Sequence, residues 1–79
     1  MENGEIVRYV KVTFAFDKPC WYIDPNDDVE EKDLLLVPYG VQTREGIVIK
    51  AVRCVYPYVS FDNAKEILSV LERRGTPKW

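Results

Sequence analysis

The sequence predicts an α+β domain that is mostly β: a small, curled antiparallel sheet or β-barrel with one C-terminal helix. Three observations predict it. From Arg8 to Phe16, apolar residues alternate with others at a period of two, the mark of a half-buried strand. Leu34-Leu35-Leu36-Val37-Pro38-Tyr39-Gly40, followed after a short polar loop by Gly46-Ile47-Val48-Ile49, reads as a buried strand, a Pro/Gly turn and a returning strand. Ala64, Ile67, Leu68 and Leu71 recur at helical spacing.

The 79 residues make a single domain, 1–79, near the lower size limit for a core that folds unaided. Residues 1–5 are expected to be flexible, 6–58 to form the β region, 60–74 the helix and 76–79 a frayed tail. In the first strand Val10, Val12, Phe14 and Phe16 share one face, opposite Lys11 and Thr13. Asp17-Lys18-Pro19 turns the chain into a short second strand, Cys20-Trp21-Tyr22-Ile23, hairpin-paired with the first. Of the neighbours Trp21 and Tyr22, one should face the core and the other outward. Asp24-Pro25-Asn26-Asp27-Asp28 is a dense turn signal before the Leu34–Pro38 strand. The fourth strand starts at Gly46 and extends to Tyr56, long enough to require a bend, and Pro57 ends it.

For the helix, Ser60 supplies an N-cap and Asp62 a first-turn acid. Val59 would staple onto Ala64. Arg73 and Arg74 suit the C-terminal end, Gly75 the C′ position, and Pro77 forbids continuation. Trp79 could fold back onto the sheet.

Composition narrows the function classes. A hydrophobic share of 47% indicates an ordered globule rather than a disordered chain. A core this small leaves no room for an internal cofactor, so none is expected and any site should be a surface groove or an interface. Net charge is −2 with both signs mixed along the chain, which excludes broad coating of nucleic acid. The N-terminus is acidic and lacks the apolar stretch of a signal peptide. The longest apolar run is too short to span a bilayer, so a cytoplasmic location and no membrane partner are expected. Cys20 and Cys54 are then expected to be reduced, buried small hydrophobes.

Histidine is absent, and two distant cysteines without it make no zinc site. No nucleophile elbow or Gly-rich phosphate loop is present, so the chain is not expected to be an enzyme. Asp24, Asn26 and Asp28 match the first ligand spacings of an EF-hand loop. Val29 stands where that loop needs glycine and Leu35 where it needs glutamate, so no metal site is expected. A solvated turn accounts for the acids. The aromatics Tyr9, Trp21, Tyr22, Tyr39, Tyr56 and Tyr58 suit base stacking, a small core or a dimer contact.

One family resemblance rests on the order of motifs. Tyr9-Val10-Lys11-Val12, Lys18-Pro19-Cys20-Trp21-Tyr22-Ile23, Leu36-Val37-Pro38-Tyr39-Gly40 and Gly46-Ile47-Val48 resemble the N-terminal 3′-end-binding domain of primosomal protein N′, the bacterial replication-restart helicase. The similarity runs from about Tyr9 to Leu71. It implies a pocket for the 3′ end of a nascent strand, with Gly40 at the turn glycine and Lys65 near a lysine of the site. Trp21 stands where that family has the aspartate that accepts a hydrogen bond from the terminal hydroxyl, and Cys20 where it has an aromatic. The chain also resembles short freestanding bacterial proteins with a Pro-Tyr-Pro segment before a final helix, echoed by Val55-Tyr56-Pro57-Tyr58.

The resemblance therefore implies a non-enzymatic binding module that recognises single-stranded nucleic-acid ends weakly, through Trp21, Tyr39, Gly40 and Lys65. The alternative is a protein-interaction or self-association domain that pairs an exposed strand edge, such as that of the Gly46–Tyr56 strand, with another chain.

Overall fold

A computed structural model describes residues 1–61 and 64–75. Strands β1 (Ile6–Phe14), β2 (Asp17–Asp24), β3 (Leu34–Tyr39) and β4 (Gln42–Val55) are followed by a short 3-10 turn (Val59–Phe61) and by β5 (Lys65–Glu66) and β6 (Ser69–Glu72). They form one curled sheet, a half-barrel, in the order β5-β2-β1-β4-β3-β6. The sheet is mixed: β2 pairs with β5 in parallel, while the other ladders are antiparallel.

Two hairpins build the frame. Phe14 pairs with Asp17 across a turn at Ala15-Phe16, and Tyr39 pairs with Gln42 across Gly40-Val41. Gly40 has φ +62° at the first central position of its turn, the requirement of a type II′ hairpin and one that glycine meets without strain. Strand β4 begins at Gln42, directly after this turn, so the polar loop expected before Gly46 is part of the ladder. β4 is also central, lying between β1 and β3. Its length is accommodated by a bulge: Lys11 faces Lys50, yet Val12 faces Val48.

The inner face holds Val10, Val12, Phe14, Tyr22, Val29, Leu35, Val37 and Val48. Gly46 lies under this layer. A Cβ there would stand 2.4 Å from Val12 Cγ1, 2.9 Å from Phe14 Cε1 and 2.9 Å from the Thr13 carbonyl oxygen. The opposite face carries a second apolar layer of Val7, Tyr9 and Ile23, covered by Trp21, Val52, Cys54, Tyr56, Phe61 and Ala64. Cys20 packs on the first layer and Cys54 on the second; both thiols are free, and both residues are half-buried rather than buried as expected, because they sit at the margins of the two layers.

The expected helix over 60–74 is absent; among the described residues there is no α-helix. Ser60 lies in the 3-10 turn, Val59 is exposed rather than stapled, and Asp62 falls outside the described residues, as does the 76–79 tail with Trp79. The reason is tertiary. Curling leaves the outer edges of β2 and β3 facing one gap, each with a row of unpaired backbone groups. The segment from Lys65 to Glu72 fills the gap as an extended chain: Ile67 N–H donates to the Ile23 carbonyl at 3.0 Å and Leu68 N–H to the Leu36 carbonyl at 2.9 Å. Consecutive residues thus join the two edges. Ile67 and Val70 pack on the inner layer, whereas Leu68 and Leu71 of the expected helical stripe are exposed.

The end of this segment is fixed by Asp33, whose side chain is buried. Its Oδ1 accepts Arg74 N–H at 2.9 Å and Gly75 N–H at 2.8 Å, and its Oδ2 accepts Glu30 N–H at 3.0 Å. Asp24 is also buried. It accepts Val29 N–H at 2.9 Å and lies 3.6 Å from Arg8 Nε. The acidic stretch from Asp24 to Asp33 is therefore more than a solvated turn, because its two end carboxylates organise the backbone. Among the described residues no cluster of metal-ligating side chains occurs and no helix is long and apolar enough to cross a membrane.

Two further expectations change. Phe16 does not join the face of Val10, Val12 and Phe14. It sits at the tip of the first hairpin with φ +74°, fully exposed. At the N-terminus, Gly4 N–H donates to the Tyr56 carbonyl at 2.7 Å and Tyr56 N–H to the Glu5 carbonyl at 2.8 Å, so residues 4 and 5 extend the sheet.

Candidate functional site

The segment that joins β2 to β3 begins at Lys65, which is in register with Tyr22. Beyond that point, toward the two hairpin tips, the strand edges are left apart. The gap is a groove of about 300 Å³ lined by Pro19, Cys20, Trp21, Tyr22, Pro38, Tyr39, Gly40, Phe61, Ala64 and Lys65. All four residues singled out from the sequence, Trp21, Tyr39, Gly40 and Lys65, lie in this one groove. They come from three separate stretches of chain: β2, the end of β3 with the turn that follows it, and the start of β5.

Its walls are aromatic and braced from behind. Tyr22 points into the inner core and Trp21 to the opposite face, as the alternation of β2 requires. The Trp21 indole stacks on Phe61 with centroids 4.0 Å apart, and Lys11 Nζ lies 5.8 Å from its ring centre. Tyr39 meets Phe14 edge-on at 5.3 Å and carries the Arg44 guanidinium 4.9 Å from its centroid. Arg44 is itself held by Asp17. These contacts fix both walls before any ligand arrives, which lowers the ordering cost of binding.

Across the groove, Tyr22 Oη donates to the Pro38 carbonyl at 2.8 Å. Burial pushes the Tyr22 hydroxyl up to about 12, with Cys20 and Tyr39 contributing further. The neutral phenol is thus the folded form. Its contribution to stability is complete below the ordinary tyrosine value near 10 and is lost as pH rises from there through about 12. In alkaline titration the wild type should therefore lose stability over that window. The Tyr22→Phe variant, slightly less stable at neutral pH, should show a shallower decline when thermal midpoints are compared.

The edges bordering the groove resist strand addition. Ile23 and Leu36 turn their carbonyls to the gap, and Trp21, Pro19 and Pro38 follow at alternate positions. Pro19 and Pro38 have no N–H to offer, and the Pro38 carbonyl is already taken by Tyr22. An incoming extended chain finds no continuous ladder, whereas a compact planar group finds aromatic walls and a backbone opening at Gly40.

Charge is also partitioned. Arg8, Arg44, Arg53, Arg73 and Arg74 are each in an ion pair with an acid, whereas Lys11, Lys18, Lys32, Lys50 and Lys65 make no ion pair with a described carboxylate. Lys65 is exposed and is the charged side chain among the described lining residues. Sequence reasoning missed Phe61, the support of Trp21. Its signal was an apolar residue soon after Pro57, in a stretch read as the start of a helix. Comparison with protein-family models, with curated proteins and with solved structures gives no match.

Proposed function

We propose that the chain is a non-enzymatic binding module that recognises the ends of single-stranded nucleic acid through the groove between β2 and β3. The observation that carries this reading is the convergence of Trp21, Tyr39, Gly40 and Lys65 on one groove of about 300 Å³. Aromatic walls suit an unpaired base, which stacks without regard to sequence. The glycine lets a ligand approach the backbone, and Lys65 supplies a cation for one phosphate. The dimensions favour a terminal nucleotide over a continuous strand, and a net charge of −2 matches weak, local binding. The resemblance to the 3′-end-binding domain of primosomal protein N′ points the same way.

The test is fluorescence anisotropy of short labelled single strands at several salt concentrations. Binding should be saturable and should weaken with salt along a shallow slope, because about one phosphate is neutralised. Lys65→Ala should weaken it several-fold and flatten that slope further. Binding untouched by both salt and Lys65→Ala would refute the assignment.

A second reading, self-association through a strand edge, is favoured by one observation. Residues 49–55 of β4 pair with β1 alone, and Ile49 and Val55 are exposed there. Light scattering that shows a dimer broken by Val55→Lys would favour this reading. Lys50 and Arg53 on the same stretch are the kind of charged residue that keeps such edges apart.

A further inference from the structure

We infer that the terminus the groove prefers is a phosphomonoester on an unpaired nucleotide rather than a free hydroxyl. The inference rests on the end-binding reading above and adds the chemistry of the end itself. A terminal hydroxyl is best distinguished by a strong acceptor such as a carboxylate. Among the described lining residues no carboxylate is present, and the polar side-chain groups there are the Cys20 thiol, the Tyr22 and Tyr39 hydroxyls, the Trp21 indole N–H and the Lys65 ammonium. Tyr22 already donates to the Pro38 carbonyl. The described lining therefore offers several donors and one positive charge.

A terminal phosphomonoester carries close to two negative charges at neutral pH and offers three acceptor oxygens. Two cations without described ion-pair partners stand around the Trp21 wall: Lys65 on the lining itself, and Lys11, whose Nζ is 5.8 Å from the Trp21 ring centre. Asp17, the first residue of β2, is paired with Arg44. A phosphate held by Lys65 would sit on the groove lining that Trp21 and Tyr39 share. The chemistry is shared by 3′-phosphate and 5′-phosphate ends, so the experiment must separate them.

The experiment measures anisotropy of one short oligothymidine in three forms, ending in a 3′-hydroxyl, a 3′-phosphate or a 5′-phosphate, with the label on the other end. At low salt at least one phosphorylated form should bind about tenfold more tightly than the hydroxyl form, the scale of a charge-assisted contact. Lys65→Met should abolish that advantage, and Lys65→Arg should retain it. Lys65 is exposed, so both variants should fold, as circular dichroism will verify. Preference for the hydroxyl would overturn the phosphate inference and leave end binding in place, whereas equal affinity for all forms would overturn the phosphate inference and mean contact with the strand rather than its end. Absence of binding by every form would overturn both.

Discussion

Replacing Gly46 by alanine should lower the unfolding free energy by about 3 kcal/mol, an overpacking effect at the upper end of its usual range. The added methyl would meet Val12, Phe14 and the Thr13 backbone together, all at 2.9 Å or closer. Backbone cannot swing aside as a flexible side chain can, so β1 and β4 must separate where the inner layer is densest. A domain of this size has roughly 4–12 kcal/mol of stability at 0.05–0.15 kcal/mol per residue. The loss should thus appear as a large drop in the urea midpoint. Gly40→Ala is the control: a Cβ there meets nothing within 4 Å, and only the strain of its positive φ is added.

Asp33→Ala should cost a similar amount, about 3 kcal/mol, for a different reason. Its carboxylate accepts three backbone N–H groups, two of them from the end of the segment that joins β2 to β3. Bonds to a charged acceptor contribute roughly 1.5–3 kcal/mol each at most, and partial exposure of the donors lets water replace some of that. The variant should also loosen the chain in a recognisable order. Hydrogen exchange at Ile67 and Leu68 should accelerate before exchange at Val10 does, because the joining segment loses its anchor while the hairpins keep theirs. Uniform acceleration throughout would mean that Asp33 holds the whole core and not this segment.

The strands and the groove-forming turn were legible because their signals are local. Alternation over β1, the Pro-Tyr-Gly sequence before β4 and the bend demanded by a long strand are all written in neighbouring residues. The second apolar layer also left a trace, since Tyr9-Val10 places large apolar side chains on both faces of one strand. The C-terminal element was misread because Ala64, Ile67, Leu68 and Leu71 satisfy a helical template, while its actual state is decided by two distant edges. Ile67 and Leu68 are extended because Ile23 and Leu36 need partners, and nothing within 60–74 encodes that. Phe16 was misplaced because alternation was continued into a turn, where Phe14 already pairs with Asp17.

The same distinction explains the site. Trp21, Tyr39, Gly40 and Lys65 could be named from motif order, but that they share a groove depends on the sheet curling until β2 and β3 face one another. Lys65 takes its place there only because the chain enters as a strand. A helix over 60–74 would have turned its backbone bonds inward and left the β2 and β3 edges unpaired. The corrected element is therefore what brings the lysine beside the aromatics.

The most direct test of the groove as the binding site is an amide NMR titration of the labelled protein with a short single-stranded oligonucleotide at low salt. The account predicts shift changes concentrated at the Trp21 indole N–H and at the backbone of Cys20, Tyr39, Gly40 and Lys65, with little change along residues 49–55. Changes confined to residues 49–55, or the absence of any change at saturating oligonucleotide, would contradict it.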